Sequence, residues 1–210
     1  MLKKIILAAA LLVAAAANAQ DVGPDELVRR TTNDVLAVIR ADKDIQAGNT
    51  RKVVELAEQK VIPNFDFARM TQLAVGRSWR DASDAQKESL TREFRTLLVR
   101  TYSTSLGQYR NQTIDVKPTK LAPGDKDVVV KTLVNQSGGQ AIPIDYSMEK
   151  SDKGWKAYDI QVDGVSLVTN YRSSFADEIR KGGVDGLIKT LSDRNARAGG
   201  APEKPAAAPK

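Results

Sequence analysis

The chain has 210 residues, 41% of them apolar and 28% charged, and a formal net charge of +6; that suits one domain of ordinary size with a real core and a mildly basic surface. It contains neither cysteine nor histidine. Disulfides, thiolate nucleophiles, Ser-His-Asp triads, HExxH zinc sites and thiolate metal clusters are therefore excluded, and with them most hydrolase and metal chemistry.

Met1-Leu2-Lys3-Lys4 is a basic start, Ile5 to Ala17 an uninterrupted apolar run, and Ala17-Asn18-Ala19 a small-x-small cleavage pattern. Together they read as an export signal over residues 1–19. The run is shorter than the roughly 20 residues that span a bilayer core, so a periplasmic chain without a membrane anchor is expected. Export makes nucleic acid an improbable partner; the basic excess suits anionic lipid, an acidic protein face or solubility alone.

In the body of the chain, residues 20–195, Gly23-Pro24-Asp25-Glu26 opens a first helix, with proline at its first position and two acids where the dipole favours them. Leu27, Thr31, Val35, Val38 and Ile39 form its inward stripe. A polar break from Asp42 to Asn49 precedes a second helix, with Val53, Leu56, Ala57 and Val61 inward, which Pro63 stops. Phe65 to Val75 reads as a third, ended by Gly76. Ser83-Asp84-Ala85-Gln86 has capping-box spacing and opens the longest helix, expected to reach about Tyr109. Leu90, Phe94, Leu97, Leu98, Thr101, Tyr102, Ser105 and Leu106 share one of its sides, as core or as one wall of an apolar cavity.

After Tyr109 the period falls from 3.6 to 2. Gln112 to Lys117, Asp127 to Asn135, Gln140 to Lys150 and Trp155 to Val162 are strand candidates, joined by glycine-containing hairpin signals at Ser137-Gly138-Gly139 and Asp152-Lys153-Gly154. In the third strand Ile142, Ile144, Tyr146 and Met148 face one way and Pro143, Asp145, Ser147 and Glu149 the other, which predicts one covered and one wet face. Val162 to Val168 reads as the corner where the last strand meets a helix, with Gly164 as the pivot. Helices follow over Asn170 to Arg180 and Val184 to about Arg194, broken at Gly182-Gly183. Residues 196–210, rich in Ala, Pro, Gly and Lys, form a tail that cannot bury enough surface to order itself.

The order helices, sheet, helices predicts an α+β domain: a curved antiparallel four-stranded sheet whose N- and C-terminal helices enclose an apolar pocket. Leu98, Tyr102 and Leu106 on the long helix, Ile144 and Tyr146 on the third strand, and Val75, Val165 and Leu167 are the expected lining. The remaining catalytic option is an acid/base pair of Asp159 and Asp163, but residues four apart on a strand lie about 13 Å from each other, beyond the roughly 5–9.5 Å that paired carboxylates use in glycosidases. An enzyme is therefore not expected. A ligand-free adaptor domain, or a carrier of another hydrophobic molecule, stays open on the same residues.

The run Val75-Gly76-Arg77-Ser78-Trp79-Arg80, the helix start at Ala82 to Gln86, and Phe94, Leu97, Leu98, Thr101-Tyr102, Leu106 and Tyr109 resemble the MlaC, or toluene-tolerance auxiliary, family of periplasmic phospholipid-binding carriers. Trp155 to Ile160, Gly164-Val165-Ser166-Leu167-Val168, Asn170-Tyr171-Arg172, Phe175 and Asp185-Gly186-Leu187-Ile188 match that family's C-terminal signature in order and spacing. The resemblance implies a nuclear-transport-factor-like fold, phospholipid as ligand and no cofactor. It also implies a monomer that exchanges lipid between an inner-membrane ABC transporter complex and an outer-membrane lipoprotein-porin complex, preserving outer-membrane lipid asymmetry. Arg77, Arg80, Arg172 and Arg180 are the candidate docking residues for those complexes. With no cluster of cations to grip a phosphate, headgroup discrimination is expected to be weak.

Overall fold

The structure, a computed structural model, describes residues 22–109 and 111–197. The expected export signal and nearly all of the expected tail lie outside them. Helix α1 (Pro24–Ala41) begins as its sequence requires, with Pro24 in the first turn beside Asp25 and Glu26, and it buries Val28, Val35, Leu36 and Ile39. Asp42 then caps a one-turn helix α2 (Lys43–Gln46) by accepting from the amides of Asp44 and Ile45, inside the stretch expected to be only a polar break. Lys52 bridges Asp42 and Asp44 at 2.9 and 2.8 Å, and this holds the carboxyl of Asp42 below its ordinary range.

Helix α3 (Thr50–Leu56), capped by Asn49, widens into a π-helical turn over Ala57–Val61 and then a 3₁₀ turn over Ile62–Asn64. Pro63 gives the physical reason: it has no amide to donate, and its ring would meet the carbonyl four residues back in an α-helix. Helix α4 (Phe67–Val75) starts two residues later than expected, with Asp66 as its cap. Phe65 is extended instead, in a parallel bridge to Ala157, and the Asp66 amide donates to the Ala157 carbonyl at 2.9 Å.

Helix α5 (Asp84–Leu106) carries both hydrogen bonds of the capping box between Ser83 and Gln86; it ends at Leu106, short of Tyr109. Phe94, fully buried, meets Tyr171 and Phe175 edge-on with ring centroids 5.2 and 5.1 Å away. Edge-to-face pairs add about 0.5–1.5 kcal/mol each beyond the area they bury, and these two fasten α5 to the 3₁₀ turn over Thr169–Tyr171 and to the C-terminal helix α6 (Arg172–Arg197) that follows it. That helix is interrupted at Gly183, whose φ of 67° and ψ of −169° are not helical. The break is where the glycine pair predicts it, and α6 runs two residues into the stretch assigned to the tail.

The sheet is an antiparallel meander of five strands in sequence order: β1 (Thr113–Val116), β2 (Asp127–Asn135), β3 (Ile142–Ser151), β4 (Gly154–Val162) and β5 (Val165–Ser166). The fifth strand corrects the expected count of four. Asp163 and Gly164 both have positive φ, 51° and 79°, the signature of a type I′ two-residue turn, and the chain folds straight back so that Val162 faces Val165 and Gln161 faces Ser166. Between β3 and β4 the register slips at a bulge: Ser147 faces Asp159 but Met148 faces Ala157, leaving Tyr158 as the extra residue.

Buried side chains gather in three clusters. One joins α4, α5 and α6 around Phe94 and Phe175; one packs Val28 of α1 on Val116, Val130, Met148 and Trp155 of the sheet; one joins Val35 and Ile39 to Ile45, Val53 and Leu56. The space between these clusters is only partly filled.

Candidate functional site

Two apolar cavities of about 170 and 160 Å³ lie where the three clusters meet. The first is bounded by Leu27, Val28, Thr31, Thr32, Val35, Leu36 and Ile39 of α1 and by Ile114, Tyr146, Met148, Ala157 and Ile160 of the sheet, with Asn64 and Tyr109 also on its wall. The second lies between α4 and α5, walled by Ala57, Ile62, Phe67, Met70, Leu98, Val99, Tyr102, Ser103 and Leu167. Val61, Phe65, Leu106 and Ile160 face both. They form a shared partition, so the two spaces are neighbouring halves of one apolar interior. Among the described residues no Asp, Glu, Lys or Arg contributes to either wall, and apolar voids of about 150 Å³ stay dry and take up apolar guests.

Local structure explains who sits on the partition. The wide π turn carries Ala57 and Val61, which both line the cavities. The bridge to Ala157 pins Phe65. The bulge at Tyr158 puts Ala157 and Ile160, three residues apart, on the same wall, where regular alternation would send them to opposite faces.

Of the residues expected to line the pocket, the structure brings Leu98, Tyr102, Leu106, Tyr146 and Leu167 together around these cavities. It does not bring Val75, Ile144 or Val165. Val75 is 5% exposed, packed within the cluster of α4, α5 and α6. Ile144 lies nearer the end of β3, opposite Thr132 and Val162. Val165 is 40% exposed, because the Asp163-Gly164 turn places it on a two-residue edge strand rather than in a corner over the pocket. The inward side of α1 and Ile160 are the lining that sequence patterning misses.

The polar groups of the interior are few. The Asn64 side-chain amide donates to Thr31 Oγ1 at 3.0 Å and to the Lys60 carbonyl at 2.9 Å. Burial pushes the phenol of Tyr102 well above its ordinary value of 10, helped by the neighbouring Tyr171 hydroxyl. Burial also raises the phenol of Tyr109 and, helped by the neighbouring Tyr109, that of Tyr146, so all three stay protonated across the physiological range.

Asp159 is buried, at 6% exposure, but it borders neither cavity. It faces Ser147 across the strands, and one oxygen accepts from the amides of Ile160 at 2.8 Å and Val168 at 3.3 Å. Desolvation raises its pKa above the ordinary 3.8, partly offset by the Ser166 hydroxyl and these two amides. Asp159 is thus the anchor that ties the segment after β5 to β4, and Asp163 occupies the exposed turn.

The four candidate docking arginines separate into two kinds. Arg172 Nε and Nη2 both donate to the Leu73 carbonyl, at 3.1 and 2.8 Å, satisfying the last turn of α4. Arg180 pairs with Asp177 at 2.9 Å, one helical turn away. Arg77 and Arg80 are exposed, on and just after a 3₁₀ turn over Gly76–Trp79.

The MlaC protein family model matches residues 29–193. Toluene tolerance protein ttg2D of Pseudomonas putida is 26% identical over 207 residues, spanning 95% of this chain and 94% of that protein. The intermembrane phospholipid transport system binding protein MlaC of Haemophilus influenzae is 25% identical over 177 residues, spanning 78% and 82%. A solved structure of the phospholipid-binding protein from Ralstonia solanacearum, in complex with a phospholipid, shares the fold with a TM-score of 0.75 and 44% identity, covering 82% of this chain and 97% of that one. With matched residues running from α1 to α6 and the same architecture in that structure, this chain belongs to the MlaC family.

Proposed function

We propose that this protein is a periplasmic phospholipid carrier that holds acyl chains in its paired cavities and exchanges lipid with protein complexes of the two membranes. The paired cavities carry the reading: an apolar interior split by a shared partition, with no charged side chain among the described residues of its walls. The relative solved with a phospholipid, alike over nearly its whole length, supports the choice of ligand, and the phospholipid transport system named for the Haemophilus influenzae relative supports the choice of pathway. No described helix is long and apolar enough to cross a membrane, which fits a carrier that moves between membranes.

The energetics of such a carrier follow from its cargo. Two acyl chains carry roughly 30 methylenes, worth about 24 kcal/mol of gross transfer from water at about 0.8 kcal/mol each; release into water is negligible. A bilayer offers those chains nearly the same environment, so exchange between cavity and membrane lies within a few kcal/mol of balance. Direction then comes from the docking partners. Arg77 and Arg80 are the docking residues of this proposal, facing acidic surfaces on the membrane complexes. The protein performs no covalent chemistry in this account, and the nearest buried carboxylate, Asp159, is occupied by backbone amides.

Native mass spectrometry of the protein purified from its own periplasm, with the released ligand identified after extraction, tests the proposal. A bound phospholipid is expected. Protein that is uniformly empty, and that stays empty after incubation with phospholipid vesicles, would overturn it.

A further inference from the structure

Between α3 and the Phe65 bridge, the π turn over Ala57–Val61 and the 3₁₀ turn over Ile62–Asn64 run as one strap along both cavities. The strap gives Val61 and Asn64 to the first cavity, and Ala57, Val61 and Ile62 to the second. Its ends are fixed. Leu56 is buried beside Val53, and Phe65 pairs with Ala157, whose carbonyl accepts the Asp66 amide. The span between is held differently. Among the described residues, every polar tie from 57–64 to a neighbouring element runs through a side chain. Glu58 pairs with Arg95 of α5. Lys60 lies 3.9 Å from Asp34 of α1, and the Asn64 amide donates to Thr31 Oγ1 at 3.0 Å. Lys156 of β4 donates to the Pro63 carbonyl at 2.6 Å. The other partition residues are held by backbone: Ile160 sits in the ladder opposite Tyr146 and accepts the Leu167 amide at 2.8 Å, and Leu106 belongs to α5.

Resting on the carrier function proposed above, we infer that this strap is the gate for lipid: acyl chains pass between it and α5, and the Glu58–Arg95 ion pair is its latch. The α5 side is where the strap is held least. Three of the polar ties run to α1 and β4, and one, the latch, runs to α5. Behind the latch the strap does not meet α5 in solid packing, because the second cavity separates Ala57 and Ile62 from Leu98, Val99 and Tyr102. The latch itself is half-exposed, with 38% of the Glu58 side chain and 34% of Arg95 open to solvent. Water replaces such a pair at small cost. Once it parts, Val61 leaves the partition and one displacement opens both cavities, as a two-chain cargo requires. The wide turn fits this use, since π turns are rare and recur at functional sites.

The test exploits a chain without cysteine: Glu58→Cys and Arg95→Cys, introduced together and joined by a short bismaleimide, tether the strap to α5. Lipid exchange is followed with vesicles of phosphatidylethanolamine and phosphatidylglycerol that carry a fluorescent-chain phosphatidylethanolamine. The tethered protein is expected to exchange at least about tenfold more slowly than the natural protein, while the same pair left untethered exchanges at the natural rate or faster. Glu26→Cys with Arg30→Cys, tethered in the same way within α1, should keep the natural rate; equal slowing there overturns the gate. Glu58→Gln, which weakens the latch without a tether, is expected to exchange about 1.4- to 5-fold faster. A natural rate in the tethered protein, or no acceleration in Glu58→Gln, overturns the gate and leaves the carrier function intact. Natural protein that exchanges no lipid at all removes the carrier function and the gate with it. The Glu58→Gln rate decides the matter if the cysteine pair fails to fold.

Discussion

Replacing Ile160 by Asp places a carboxylate on the partition between the two cavities, and its effect can be worked from the surroundings. Among the described residues no cation lines either wall to pair with it. In the lipid-free protein the added carboxylate is the polar group that draws water into the otherwise dry cavity, and it can stay ionised there; with acyl chains against it, it must be protonated. Holding an aspartate of ordinary pKa about 3.9 neutral at pH 7 costs about 1.4 kcal/mol per unit over three units, or about 4 kcal/mol. Because cavity and bilayer compete within a few kcal/mol, that penalty is expected to lower lipid occupancy by about 10³-fold at pH 7. The loss should shrink about tenfold for each unit the pH is lowered towards 4. The assay is lipid per protein by phosphorus analysis after equilibration with vesicles at pH 7, 6 and 5, with Ile160→Asn as the neutral control. Val129→Asp, a charge on a side chain 46% exposed on the outer face of β2, controls for the charge itself and should keep full lipid. Natural lipid content in a folded Ile160→Asp protein, or a loss that does not depend on pH, would refute the placement of the lipid between these walls.

Reversing Arg77 and Arg80 to Glu is expected to slow lipid hand-over to acceptor complexes while leaving bound lipid unchanged, with the defect fading as salt rises; natural rates in low salt would remove these residues from the docking surface. Arg172→Ala should lower folding stability by about 1 kcal/mol through the uncapped Leu73 carbonyl, read as a shift in urea midpoint, and an unchanged midpoint would show that water replaces the guanidinium without cost. For Asp159, a carboxyl whose native pKa is raised binds its proton more tightly in the folded state. Its contribution therefore favours the fold below about pH 4 and is lost as pH rises through the raised native value. The stability of the natural protein relative to Asp159→Asn should fall from pH 4 to 7 in urea titrations, and a flat difference would show that the amides fully offset burial. Removing the capping box with Ser83→Ala should cost about 1 kcal/mol, measured in the same way, and a smaller loss would mean that the first turn of α5 is held by α6 through the Gln86 to Asp185 hydrogen bond at 2.8 Å.

Much of this site can be read locally. The Ser83 to Gln86 start, the 3.6-residue stripe that sets Leu98, Tyr102 and Leu106 on one side of α5, and the alternation that aims Tyr146 inward each follow from a few neighbouring residues, and all four of those side chains meet the cavities. What escapes local reading depends on contacts between distant segments. Phe65 has helix-compatible neighbours, yet its pairing with Ala157 holds it extended. Ile160 looks like any alternating strand residue until the bulge adds Tyr158 to one strand and not the other. The stripe of α1 is legible, but whether it meets solid core or empty space depends on how far the sheet curves away beneath it. Asp163-Gly164 does carry the local signal of a tight hairpin; the strand that follows has only two residues, too few to show a period of its own.

The bulge also decides where this protein can change its length. Because side chains alternate along a strand, loss of one residue from β4 between Ala157 and Ile160 would restore unbroken pairing with β3 and turn one side of the junction inside out. Either Trp155 and Ala157 would leave the core face, or Ile160 would leave the partition. A shortening of β4 is thus an inversion of the sheet rather than a trim. The connection from Lys120 to Lys126 borders neither cavity and lies beyond the Thr119 amide that donates to Asp25 of α1; natural or engineered insertions belong there.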